Sequence, residues 1–526
     1  MSHRYPIQRI RHFICQERRL LAATAGPGIQ IFDAGTGVQL SSWPPSANAL
    51  ALEPRISPDQ GLDDDACGEP AGKRRKLSPP FTEGEEAQVE KGVALKSTPS
   101  GKSRSSRRIW FTIPILIVSG TGDHIIAVTG EDKCLRVFEI KPDGAFTQLS
   151  ERFMPKRPCA VTVTPDNTTI LCGDKFGDVY SLPLLPEHEA TLRLSKSTEP
   201  LKSFQPSATK LTVHTQRNLK ALEQQLRKPH AVQEKSEFPF EHRLLLGHVS
   251  MLTDMALVHL PAIPPARSRS YIITSDRDEH IRVSRGPSQA HIIHGYCLGH
   301  TSFVSKLCIP PWDSKVLISG GGDDCIFCWD WLEGRILQRV PLEHGNGVLE
   351  SRDAQTRQSE AGEKSVSGIW AISFADRPDV SALAKGGILV ALEGVPKLLW
   401  FSFGLDGSIT ARAPIELSGN ALDVTAVDRK GTILVSVDNI HSPGTTNELR
   451  DSARESPLLQ CYFVSSDGEF TWNEGYNRAV ETINTSEATD IIADTETRKQ
   501  VEALSGSLYG VENLRKWVRG DRGEDG

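Results

Sequence analysis

The stretch "GHTSFVSKLCIPPWDSKVLISGGGDDCIFCWD", Gly299 to Asp330, decides the fold. A Gly-His pair opens it, a Trp-Asp pair closes it, and β-rich runs lie between, which is the layout of one four-stranded WD repeat. Its centre reads as a strand (KVLIS), a glycine turn (GGGDD) and a second strand (CIFCWDW). Reversing the chain within so few residues calls for glycine, which enters positive φ without steric cost. In such a blade a histidine, a strand hydroxyl, a turn aspartate and the closing tryptophan can form a buried polar chain. His300, Ser319, Asp323 and Trp329 stand at those positions and would tie the outer strand to the inner ones. A single blade cannot bury both of its faces, so the repeat implies companions.

Weaker copies run along the rest of the chain. Leu244 to Arg285 repeats the pattern with Gly247-His248, a strand, "TSDRD" and "HIRVS". There Asp278 takes the turn-aspartate position by spacing, and Ser284 replaces the tryptophan. "HIIAVTGEDKCLRVFEI" carries Phe138 at the aromatic position, "TTILCGDKFGDVYSL" carries Leu182, and "RRLLAATAGPGIQIFDAGTGVQL" ends its third strand at Phe32-Asp33. "VSGIWAISF" with "GGILVALEGVPKLLWF", and "ALDVTAVDRKGTILVSVDN" with "LLQCYFV", supply two more. Each alternates apolar and polar residues in short runs, as a strand between neighbouring blades requires. The expected fold is all-β: a seven-bladed WD40 β-propeller within residues 1–475. Seven blades of about 40 residues need roughly 300 residues, and the chain has 526. The excess falls into insertions at about 46–108, 185–240 and 343–365, and a helical tail at 476–526. The first insertion is rich in Pro, Ser, Gly, Lys and Glu without apolar period, so it cannot offset its ordering entropy and is expected to be disordered. In the tail, Leu508, Val511, Leu514 and Val518 share one face of a short helical pattern broken from another by Gly506 and Gly510. That face is expected to dock on the propeller itself, a partner being the other reading.

Hydrophobic residues make up 38% of the chain and the formal charge is −6, so no uniformly basic coat for nucleic acid exists, although local basic patches do. No apolar run approaches the roughly 20 residues that span a bilayer, and "MSHRYPIQRIRHF" lacks the apolar core of a signal peptide. A soluble intracellular protein without membrane association is the expectation. The ten cysteines are scattered, with Cys134, Cys172, Cys308, Cys325 and Cys328 inside strand patterns, which fits buried free thiols better than a disulfide framework. Cys325 and Cys328 match a metal spacing, but positions i and i+3 of a strand face opposite sides and cannot share a zinc. His291 and His294 meet the same objection. "SGTGD" (Ser119 to Asp123) and "GGGDD" lack the Lys-hydroxyl pair and helix start that a phosphate cradle needs. No G-x-S-x-G, H-E-x-x-H or dinucleotide fingerprint is present, so no catalytic residue, cofactor site or metal site is assigned.

Two basic runs stand out. Lys73, Arg74, Arg75 and Lys76 lie beside prolines and Ser78, a Ser-Pro site suited to phosphorylation. This run suits a nuclear import signal, against the plainer reading of a solvated charge cluster. "KSRSSRR" (Lys102 to Arg108) has no interleaved aromatics for base stacking. A third feature is the run Thr274 to Ser284, "TSDRDEHIRVS". Strand alternation buries Ile281 and Val283 and exposes Arg282, and the turn presents Asp276, Arg277, Asp278 and Glu279 at the rim. An ordinary solvated edge and a recognition surface both fit, the latter with Arg277 and Arg282 pairing to carboxylates of another protein.

"TSDRDEHIRVSRGP" followed by "GYCLGHTSFVSKLCI" and "LISGGGDDCIFCWDW" resembles the WD-repeat, non-catalytic subunit of the tRNA guanine-N(7) methyltransferase in its fungal form. "LLAATAGPGIQIFDAGTGVQLSSWPP" and "LYGVENLRK" fit the same family. The resemblance implies a heterodimer with a catalytic methyltransferase subunit that carries the S-adenosylmethionine pocket, the pair modifying a variable-loop guanine of tRNA. It implies that Arg282 is the basic contact to that subunit, with Arg277 as neighbour. His280 stands where the family pattern has a positive residue, so charge there would depend on pH. The partner-binding set is thus Arg277, Asp278, Glu279, His280 and Arg282. A rigid propeller face would bias and stabilise the partner's active arrangement, with tRNA reached through the complex in the nucleus. The rival class is a WD-repeat adaptor, a ubiquitin-ligase substrate receptor or chromatin-peptide reader, which would use the central mouth. A hydrolytic propeller would need convergent acidic or metal clusters that the sequence lacks.

Overall fold

The computed structural model describes residues 4–44, 112–186, 216, 240–261, 268–342, 364–381, 384–450, 456–472, 474–486 and 508–515. Among them the strands form seven antiparallel sheets, six of four strands and one of five, each built from strands adjacent in sequence. These are the seven blades of a β-propeller, numbered 1 to 7 in chain order, with their innermost strands side by side around the centre. The Lys73–Lys76 run, Ser78, "KSRSSRR", Val518 and nearly all of the three insertions lie outside the described residues.

There is no single core. Each pair of neighbouring blades shares its own apolar cluster, as between blades 4 and 5, where Ile273, Ile281 and Val283 meet Val304, Phe327 and Trp329. Sandwiched strands are therefore buried on both faces, and the strand Val316–Gly321 is buried throughout rather than alternating. The cysteines of those strands are free thiols, and burial pushes Cys134, Cys172, Cys308 and Cys328 up to about 12. Cys328 faces the blade 5/6 cluster and Cys325 the blade 4/5 cluster, on opposite sides of one strand.

Three local expectations are corrected. The glycines of the blade 5 turn are absent from the positive-φ positions. They are required instead by close approach, since a Cβ on Gly321 would run into the Phe303 carbonyl oxygen. The sequence repeat and the blade are also offset by one strand: Arg243–Gly247 pairs with the blade 3 strand Asp178–Pro183, so the Gly-His unit links two blades. Finally, a helix at Asn477–Thr485, here α1, stands where only later helical patterns were expected. Its Val480 and Ile483 enter the cluster between blades 7 and 1.

That helix helps close the ring, because blades 1 and 7 exchange no strand. Asp423 of blade 7 accepts the Ile10 amide at 3.0 Å and the Arg11 guanidinium at 2.6 Å. Thr425 accepts the His12 amide at 3.0 Å. Asn484 of α1 accepts the Leu458 and Leu459 amides at 2.9 Å each.

Candidate partner-binding site

Blade 5 gives the reference geometry. Trp329 Nε1 donates to Ser319 Oγ at 2.8 Å, Ser319 Oγ lies 2.7 Å from His300 Nε2, and His300 Nδ1 lies 2.6 Å from Asp323 Oδ2. One direction of donation, Trp to Ser to His to Asp, satisfies every member. Burial pushes Asp323 up, but the bonds from His300 and Thr301 outweigh it and hold the carboxyl below its ordinary value. Phe327 stacks on Trp329 at 5.3 Å, and Arg339 of the outer strand covers the Phe327 ring at 5.1 Å.

Blade 4 repeats this frame with other side chains. His248 Nε2 lies 2.7 Å from Thr274 Oγ1, the Ser319 equivalent. Its Nδ1, however, faces Asp276 at 3.4 Å. The turn aspartate is therefore Asp276, which is buried, and neither Asp278 nor a rim-presented Asp276 is what the fold contains. Asp276 occupies the place of Gly321, so its carboxylate reaches the histidine two residues early. Its Oδ1 also accepts the Asp278 and His280 amides at 2.9 and 3.0 Å. Asp278 and His280 are exposed, and Glu279 is half-buried at φ 74°.

Arg282 occupies the place of Phe327, and Ser284 that of Trp329. Its Nε donates to Ser284 Oγ at 3.0 Å and its Nη1 to the Gly247 carbonyl at 3.0 Å. Tyr296 of the outer strand stands opposite it in register. The aromatic and the arginine have thus exchanged strands between the two blades. Burial draws the Arg282 pKa below the usual guanidinium value, yet a guanidinium keeps its charge. Tyr296 and Ile293 of that outer strand are exposed apolar side chains, as are Leu244 on the blade 3 outer strand and Val249 and Leu298 in the flanking loops. Sequence reading missed these, because an exposed leucine carries no signal until the strand that bears it is placed at an edge.

Arg277 has a different duty. Its Nε and Nη2 donate to the Leu514 and Arg515 carbonyls at 3.1 and 3.0 Å. It therefore clamps the chain's own C-terminal segment, a duty that its reading as a neighbour of Arg282 did not include. That segment lies across the central mouth: Leu508, Tyr509, Val511 and Leu514 cluster with Phe303, Leu422 and Ile440. The Tyr509 hydroxyl donates to Asp438 at 2.6 Å and accepts from Asn420 at 3.0 Å, while Arg515 pairs with Glu393.

The arrangement holds a cation ready on an edge and contributes no group positioned for bond breaking. The profile of the tRNA methyltransferase TRM82 WD40 domain matches residues 21–462. The chain is 66% identical over 523 residues to the "tRNA (guanine-N(7)-)-methyltransferase non-catalytic subunit TRM82" of Coccidioides immitis, covering 99% of this chain and all (100%) of that protein. The protein of the same name in Aspergillus clavatus is 43% identical, with 98% of each chain covered. That of Aspergillus oryzae is 45% identical, with 95% of each chain covered.

Proposed function

Because this chain belongs to the TRM82 family of non-catalytic tRNA methyltransferase subunits, we propose that it docks the catalytic subunit on the blade 3/4 edge and holds it in its active arrangement. The observation that supports this is Arg282, half-buried and held by Ser284 and the Gly247 carbonyl, with the exposed Tyr296 opposite it on the outer strand. A pre-positioned guanidinium loses little freedom on binding, so a carboxylate of the partner gains a bidentate contact at low entropic cost. The apolar rim would exclude water from that pair and strengthen it.

In this reading S-adenosylmethionine and the methyl transfer belong to the partner, and this chain supplies stability by mass action and a bias toward the competent conformation. Transfer RNA is reached through the heterodimer. The Lys73–Lys76 run would carry the chain into the nucleus. The rival reading, a peptide reader at the central mouth, loses its site on the face that Leu508–Arg515 covers.

The test is reconstitution. Wild-type chain mixed with the catalytic subunit is expected to form N7-methylguanosine in tRNA, and this chain alone none. Arg282→Glu is expected to lose the partner on co-purification while the propeller remains folded. Retention of the partner by a folded Arg282→Glu protein would refute the docking edge.

A further inference from the structure

The docking edge continues beyond Arg282 onto the top of blade 3. The Gly247 carbonyl that Arg282 engages is followed by His248, whose amide donates to the Gly177 carbonyl at 2.9 Å. Gly177 has φ +99°, and a Cβ there would stand 2.7 Å from the His248 and Ser250 carbonyl oxygens, so the two loops are packed against each other. The next residue back is Phe176, whose ring is 54% exposed. Lys156 Nζ lies over that ring at 4.2 Å and Lys175 Nζ at 5.6 Å from its centroid. Next in the chain after His248 is Val249, fully exposed.

An exposed aromatic is costly on a soluble surface, and two ammonium groups converging on one ring repel each other. Both features are relieved if an acidic surface covers them. The lysines are pre-positioned by the ring, and the strip alternates cation and apolar group as a binding hot spot does. Among the described residues neither lysine makes a close ion pair, whereas Arg136, Arg377 and Arg515 elsewhere do; the Asp174 carboxylate acts on Lys156 only at longer range. Because Lys156 occupies a face of the ring, stacking of a nucleic-acid base on it is less favoured than an acidic protein surface.

We propose that Lys156, Lys175, Phe176 and Val249 form a second contact for the catalytic subunit, meeting an acidic patch on it beside the carboxylate that Arg282 engages. This rests on the reading of blade 4 as the docking edge. Lysine pairs at the rim of an interface steer association, while a buried aromatic slows release.

The experiment measures association and dissociation rates between the purified catalytic subunit and three variants: Lys156→Glu/Lys175→Glu, Phe176→Ala and Arg282→Glu. The double charge reversal is expected to slow association about tenfold or more and to flatten its salt dependence. Phe176→Ala is expected to speed dissociation about tenfold. Because Lys156 and Phe176 are exposed and Lys175 is only half-buried, the first two variants should unfold near the wild-type temperature. Wild-type rates for the first two variants, with Arg282→Glu defective, would overturn this proposal and leave the docking edge standing. Wild-type rates for all three would overturn both. Normal partner binding with weakened tRNA affinity of the reconstituted heterodimer would assign the lysines to a phosphate backbone and also overturn it.

Discussion

Blades 4 and 5 share one spacing from the second-strand hydroxyl onward, yet one is closed by two stacked aromatic rings and the other by an arginine and a serine. In blade 5, Phe327 and Trp329 fill the notch beside His300, and Arg339 reaches over from the outer strand. In blade 4 the third strand carries Arg282 and Ser284, and Tyr296 has moved to the outer strand. The first arrangement buries apolar area and completes a polar chain, which are stabilising functions. The second leaves a charge anchored but accessible. Under the proposed docking, the departure of blade 4 from the blade 5 pattern exchanges stability for a contact to the partner.

The largest expected effect lies in blade 5. Trp329→Ala should cost about 3–5 kcal/mol of stability, as large aromatic truncations in cores do, read by denaturant unfolding. The folded fraction should still bind the catalytic subunit normally. Next comes Arg282→Glu, expected to cost the complex about 2–5 kcal/mol, or roughly 30-fold to several thousand-fold in Kd, with a smaller loss of unfolding free energy than Trp329→Ala because only its bonds to Ser284 and the Gly247 carbonyl go. If both substitutions lowered stability alike, the division of labour between the blades would fail.

A smaller effect tests the cap that blade 4 clamps. Tyr509→Phe removes the hydroxyl that bonds Asp438 and Asn420, and should cost about 1–2 kcal/mol in urea unfolding. Hydrogen exchange at 508–515 should quicken, with partner affinity retained. The smallest effect is on pH. The Asp323 carboxyl is held below its ordinary value, so its contribution is complete above about pH 4 and fades as pH falls through the folded value. The stability gap between wild type and Asp323→Asn should therefore narrow from pH 5 to pH 3.

Much of the fold was legible because the Gly-His and Trp-Asp pairs mark fixed places in a blade, while the turn glycines told where the chain reverses but not that close approach to Phe303 requires them. The blade 4 turn was less so. Spacing chose Asp278, but the chain places Asp276 against His248, since the residue at the Gly321 position here has a side chain able to reach. The role of Arg277 was hidden for another reason: its partners are backbone carbonyls of Leu514 and Arg515, over two hundred residues away, and carbonyls leave no mark in sequence. Helix α1 falls in the expected helical tail but was not singled out, because its apolar face of Ala479, Val480 and Ile483 spans barely one turn. The exposed edge around Arg282 became visible only once the outer strands were placed.

The most direct measurement is amide hydrogen exchange on this chain with and without the catalytic subunit. Segments 244–250, 276–284 and 293–298 of the blade 3/4 edge should slow on complex formation, while their blade 5 counterparts, 299–303, 321–329 and 335–340, should not change. Protection confined to blade 5, or no protection at the blade 4 segments in a complex that forms, would contradict the account.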